Sequence, residues 1–193
     1  MTRETFRIEL ARAADALAIA ELSRDTIEHG LGWRWTRDRV MRCIRDPSTN
    51  VIVARPANAI RRPTIAIRRP AIPIVPDATS IPRDVIGFAI MRYQDRNDDE
   101  TAHLLLFAVT PTHRRKGLGS ALLAWLETTA LTAGTGVICL EARISNREAR
   151  AFYRHHGYRE GAHVPAMYRG VEDGIRIAKD LWTNSPDASR TST

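Results

Sequence analysis

Arg114, Arg115, Lys116, Gly117, Leu118 and Gly119 put three cations and two glycines into six consecutive positions, a composition suited to holding an anion. Glycines at 117 and 119 remove the Cβ atoms that would keep a phosphate away from the backbone. Before them, the apolar run from His103 to Val109 has the length of a strand and is closed by the breaker Pro111. After them, Leu118, Ala121, Leu122, Trp125 and Leu126 recur on one helical face. The turn therefore opens a helix whose first N–H groups, with Ser120 among them, are unpaired and carry a partial positive charge. The predicted chemistry is phosphate binding on a strand–turn–helix unit.

Spacing decides which kind of phosphate turn this is. A Walker A loop has four residues between its glycines and then Gly-Lys-Ser/Thr, whereas here Lys116 precedes Gly-x-Gly. A dinucleotide fingerprint needs a third glycine where this chain has Leu122. What remains is R-x-x-G-x-G, Arg114 to Gly119, which resembles the acetyl-coenzyme A pyrophosphate loop of the GNAT superfamily of N-acetyltransferases. The stretch LEARISNREARAFYRHHGYRE, Leu140 to Glu160, is similar to that family's next strand and helix, with Asn146, Ala149, Tyr153 and Gly157-Tyr158 at matching offsets.

The resemblance implies an α/β fold in α+β layers. Its central sheet is mixed and mostly antiparallel, with about six or seven strands, about four flanking helices, and a splay between the fourth and fifth strands. It also implies acetyl-CoA as cosubstrate and direct transfer of its acetyl group to an amine acceptor, whose identity the sequence leaves open. Arg114, Arg115, Lys116, Gly117, Leu118, Gly119 and Ser120 would hold the pyrophosphate. A backbone N–H near Val109 would meet the oxyanion. The family's base is a glutamate on the fourth strand; the matching positions here are His103, or Glu100 just before the strand, with water as a further option. An imidazole accepts a proton near neutral pH, so His103 could serve. Tyr153 would be the acid toward the departing thiolate, on a helical face shared with Asn146 and Ala149 that looks onto the cofactor. Asn146 equally suits a helix N-cap. In the loop HGLGWRW, His29 to Trp35, Trp33 and Trp35 are expected to contact the acceptor or to staple helices to the core.

Over the whole chain, 193 residues with 44% hydrophobic and 26% charged side chains fit one soluble domain, expected over 1–183. No run approaches the roughly 20 apolar residues that span a bilayer. Residues 1–10 do not read as a signal peptide, so a cytoplasmic protein without a membrane partner is expected. Cys43 and Cys139 fall in apolar patterns away from any metal-ligand spacing, so no metal is expected. The charge of +7 favours a polyanion, for which a polyphosphorylated cofactor is more economical than nucleic acid. Six of the ten prolines fall in 56–84, around the tandem RRPTIAI-RRPAIPI, which excludes helix and central strand there. This insertion reads as an irregular loop, a basic arm or a dimer contact. A nucleic-acid module built on it would lack aromatic residues to stack bases. A noncatalytic acyl-CoA sensor is the other alternative.

Alternation of Phe6, Ile8 and Leu10 predicts a first strand, followed by helices over about 16–28, capped by Asp15, and 36–44. Strands follow at 50–54 and 85–93, with Gly87 suggesting a bulge, then a polar hairpin loop at 95–100. Beyond the central unit come a strand at 137–142, a short helix from Ser145 or Asn146 to about His155, and two strands around the turn 170–174. The tail 184–193 is expected to be disordered.

Overall fold

The computed structural model describes residues 5–28, 30, 32–57, 84–96 and 99–183, with the side chains of 94–96, 99 and 100 left out. Nearly all of the proline-rich insertion, the tail, His29 and Leu31 lie outside these. The elements are β1 (Phe6–Leu10), α1 (Ala16–Thr26), α2 (Arg37–Arg45), β2 (Thr49–Pro56), β3 (Gly87–Arg96), β4 (Asp99–Val109), α3 (Leu118–Thr132), β5 (Val137–Arg143), α4 (Arg147–His155), β6 (Arg159–Tyr168) and β7 (Glu172–Asp180). The seven strands form one sheet in the order β1-β2-β3-β4-β5-β7-β6. Every neighbouring pair is antiparallel except β4 and β5.

Two layers of helices cover the sheet. On one face, Leu118, Leu122, Leu123, Leu126 and Ala130 of α3 and Tyr153 of α4 pack on Ala89, Met91, Ala102, Leu104, Ile138 and Leu140. On the other, Ala16, Ile19 and Ala20 of α1 and Val40 and Cys43 of α2 pack on Val51, Val53, Phe88, Ile90, Leu106 and Ala108. β4 thus changes sides: its even residues face α3 up to Leu104 and face α1 from Leu106 onward. The cause is a bulge. Ile90 pairs with Leu106 but Met91 pairs with Leu104, which leaves Leu105 as the extra residue. A bulge reverses side-chain parity and bends the strand.

That bend opens the sheet. β4 and β5 are paired only from Thr101–Leu104 against Val137–Leu140, although β4 continues to Val109 and β5 to Arg143. A second bulge lies at Gly87, as expected: the Ile86 N–H donates at 2.9 Å to the carbonyl of Ala54, the residue that pairs with Gly87, and Ile86 shares a face with Ala89 while Val85 shares the other with Phe88. A Cβ on Gly87 would meet the Ala108 carbonyl oxygen at 3.1 Å and Leu122 at 3.2 Å. Its smallness serves close packing. The ladder also reaches into the expected loop at 95–100, where Asp95 pairs with Glu100 and Arg96 with Asp99.

Beneath the first turns lies an ion cluster without a sequence signature. The buried Arg55 donates from Nε to Glu9 at 2.9 Å, from Nη2 to Asp15 at 2.5 Å and from Nη1 to Asp84 at 2.6 Å. It joins β1, β2, the start of α1 and the lead into β3. Asp15 is therefore not a side-chain cap of α1; its other oxygen accepts from the Arg12 N–H at 2.8 Å.

Candidate active site

The opening between β4 and β5 is the middle of a cleft of about 1080 Å³. At one end lie Arg114, Arg115, Gly117, Gly119 and Ser120; along its length run Leu104 to Val109, Asn146, Ala149 and Tyr153. At the other end are Thr26, Ile27, Glu141, Arg143 and Tyr168.

The two glycines of the turn serve different purposes. Gly117 is the N-cap of α3 at φ +82°, and a Cβ added to it would find nothing within 4 Å. Its left-handed backbone faces open space of the kind a phosphate would fill. Gly119 is instead a packing residue, since a Cβ there would press on the Phe152 ring at 3.3 Å. Arg115, at φ 60°, and Arg114 both reach Glu148 of α4, at 3.2 and 3.7 Å, and Arg114 Nε also donates to the Val109 carbonyl at 3.2 Å. Lys116 and Leu118 do not line the cleft; the Leu118 side chain is buried in the core, so only its backbone is available to a ligand.

The ladder fixes where the Val109 N–H points. The Thr110 N–H donates to the Ile86 carbonyl at 2.9 Å, so Thr110 and Ile86 form a hydrogen-bonded pair. Hydrogen-bonded and non-bonded pairs alternate in an antiparallel ladder, so Val109, opposite Gly87, belongs to a non-bonded pair. Its N–H and C=O therefore turn away from β3, toward the opening.

On α4, the Asn146 side chain accepts from the Ala149 N–H at 3.0 Å and acts as the N-cap. Tyr153 sits in an aromatic chain, 6.3 Å from Phe107, 5.3 Å from Phe152 and 5.5 Å from Tyr158 between ring centroids. Burial, with the charge of Tyr168 second, pushes its hydroxyl well above the ordinary tyrosine value, so it stays protonated and keeps a proton to donate.

Of the two expected bases, the structure places the side chain of His103. His103 does not line the cleft; its Nε2 is 2.6 Å from Oε2 of Glu141, and it is Glu141 that faces the cleft. The hydrogen bond from His103, followed by the charges of His103 and Arg176, holds the Glu141 carboxyl below its ordinary value against the opposing effect of burial. Glu100 sits in β4 opposite Asp95, with its side chain outside the described residues. Tyr168 lies near Glu141, and burial first, then the Glu141 charge, pushes its hydroxyl up to about 12. Neither Trp33 nor Trp35 lines the cleft. Trp33 donates its Nε1–H to the Trp35 carbonyl at 3.0 Å, and the Trp35 ring stacks under Arg39 at 4.1 Å. The buried Glu28 carboxylate orders this loop by accepting from the Arg34 N–H at 2.7 Å. Glu141 and Tyr168 thus line the cleft without a motif to mark them, although Glu141 is a lone acid between the buried Leu140 and Ala142.

Among known proteins, the model of the acetyltransferase (GNAT) family matches residues 49–158. This chain belongs to the GNAT family. An uncharacterized N-acetyltransferase of Methanocaldococcus jannaschii is 40% identical over 78 residues, which are 40% of this chain and 50% of that protein. The match thus spans half the length of this curated relative. The GNAT fold recurs in the ribosomal-protein-S18-alanine N-acetyltransferase of Escherichia coli, with a TM-score of 0.66, 21% identity, and coverage of 92% of this chain and 94% of that one. NAA60 of Arabidopsis thaliana, solved in complex with acetyl-CoA, superposes with a TM-score of 0.69 at 13% identity over 91% of this chain and 98% of that one. Among the described residues no helix is long and apolar enough to cross a membrane, and no His, Cys, Asp and Glu side chains cluster as a metal site.

Proposed function

We propose that this protein transfers the acetyl group of acetyl-CoA directly to a primary amine of a small molecule or a peptide. The observation that carries this reading is a continuous cleft whose lining includes the Gly117 turn, the gap between β4 and β5, Glu141 and Tyr168. A donor with anionic and acyl ends and an acceptor amine can meet there from opposite mouths. Neither cysteine lines the cleft among the described residues, which favours direct transfer over an acylated thiol.

Acetyl-CoA supplies an activated thioester carbonyl. Gly117 and the first N–H groups of α3 receive its phosphates, with Arg114 and Arg115 exchanging Glu148 for them. The Val109 N–H points into the gap and donates to the oxygen that gains charge. Glu141, kept ionised by His103, attracts the acceptor ammonium and takes its proton directly or through water, so His103 is a positioning residue. Tyr153 donates a hydrogen bond to the departing sulfur. A hydroxyl with a raised pKa holds its proton too tightly to protonate a thiolate downhill, so the stabilisation is by hydrogen bonding.

The test is release of free thiol from acetyl-CoA across a panel of small amines, peptides with free N-termini and aminoglycosides. Release with at least one class is expected. Binding of coenzyme A without release for any of them would leave a noncatalytic sensor.

A further inference from the structure

Ser120 is the third residue of α3 and lines the cleft beside Gly117 and Gly119. Its Oγ lies 2.9 Å from Nε2 of His156, the residue that ends α4. The other ring nitrogen, Nδ1, lies 2.8 Å from the Phe152 carbonyl oxygen. A carbonyl only accepts, so Nδ1 carries its proton whether the ring is neutral or charged. Nε2 is then the one position that titrates. With neutral His156, Ser120 must donate its proton to Nε2 and presents lone pairs to the cleft. With charged His156, Nε2–H donates to Oγ, and the serine proton is free to turn outward. A phosphate oxygen only accepts, so it opposes the first arrangement and completes the second.

We infer that His156 and Ser120 form a proton-linked contact for a phosphate of the acetyl donor: binding draws one proton from solvent onto His156 Nε2 and frees the Ser120 O–H to donate to the phosphate. This rests on the reading that the Gly117 turn holds coenzyme A. The charged groups around the pair are His155 on the same helix, with its ring 5.2 Å away, and Arg147 and Glu148 at that helix's start. From the turn come Arg114, Arg115 and Lys116; from α3 and β7 come Glu127 and Lys179, paired at 2.9 Å, with the Lys179 stem 3.7 Å from where a Gly157 Cβ would stand. A state that takes up a proton on binding gains affinity as pH falls.

Calorimetry of coenzyme A binding in buffers of different ionisation enthalpy counts the protons taken up. Wild type, Ser120→Ala and His156→Gln share any titration of the ligand's own phosphates, so differences among them belong to this contact. Wild type should take up a larger fraction of a proton near pH 7 than either variant. His156→Gln, whose amide N–H donates to Oγ at any pH, should bind with an affinity less dependent on pH than wild type between pH 6 and 8. Ser120→Ala should lose about 10-fold at pH 6 and much less at pH 8. Equal proton uptake in all three with binding retained would overturn the contact alone. A folded wild-type protein that fails to bind coenzyme A would overturn the contact and the cofactor reading together.

Discussion

Replacing Gly117 with alanine separates the ligand-binding role of the turn from its role in folding. A Cβ at this position meets no atom within 4 Å, so the folded protein pays only for holding an L-residue at φ +82°. That strain is about 1–2 kcal/mol, or roughly 2–8 °C in Tm for a chain of this size. The same methyl projects into the space a phosphate would enter. Displacing one charge-assisted N–H contact costs about 1.5–3 kcal/mol, which is about 10- to 150-fold in the dissociation constant. Calorimetry with coenzyme A on Gly117→Ala, folded by circular dichroism, reads this directly. Native affinity in a folded Gly117→Ala protein would refute the phosphate turn. Gly119 is the wrong residue for this test, because its Cβ would strike Phe152 at 3.3 Å and disturb the aromatic chain that holds Tyr153. Gly119→Val should therefore lower Tm, with any change in binding following from repacking.

Tyr153→Phe keeps the three ring contacts and removes only the donor, so turnover should fall by about 100-fold while coenzyme A affinity and Tm stay within error; native turnover would return Tyr153 to a packing role. Glu141→Gln should lose about 100-fold or more in turnover, and His103→Ala less, since the carboxylate remains in the cleft. Because the Glu141 pKa is lowered, its carboxylate persists as pH falls through the ordinary carboxylate range; the activity it supports is lost only below that range, while the stability its ion pair contributes declines progressively from the ordinary carboxylate value down to the lowered one. A pH–rate profile with an acid limb above pH 5 that vanishes in Glu141→Gln would contradict this. Arg55→Ala leaves Glu9, Asp15 and Asp84 without their shared cation and should cost about 3–5 kcal/mol in urea unfolding, with kcat per folded molecule unchanged.

The features legible in the sequence were local ones. The strand–turn–helix unit with Gly117 at its turn, the cap at Asn146 and the end of α4 at Gly157 each depend on residues within a few positions of one another, and the structure has them where spacing puts them. The strand through His103 was legible as a strand, but its parity was not. Nothing in LLLF marks Leu105 as the inserted residue, and that single insertion turns Phe107 and Val109 toward α3 and α4 while leaving His103 on the opposite face. Glu141, which lines the cleft, has no local signal linking it to His103, which it meets across 38 residues of chain because β4 and β5 run parallel. Arg55 and its three acids escaped notice for the same reason, as did the contact of Ser120 with His156: such pairings are made by topology and leave no periodic trace. Gly119 was legible as a glycine that matters, while the reason, the Phe152 ring, came from the packing of α3 on α4.

The central claim is direct passage of an acetyl group through one cleft, and the destination of a labelled acetyl group tests it. Folded protein is incubated with acetyl-CoA labelled in the acetyl group, alone and then with an amine that supports thiol release. Direct transfer predicts no label on the protein before the amine is added, and label on the amine afterwards, mole for mole with coenzyme A set free. Label held covalently by the protein in the absence of amine, or acetyl-CoA recovered intact with every amine tried, would contradict it.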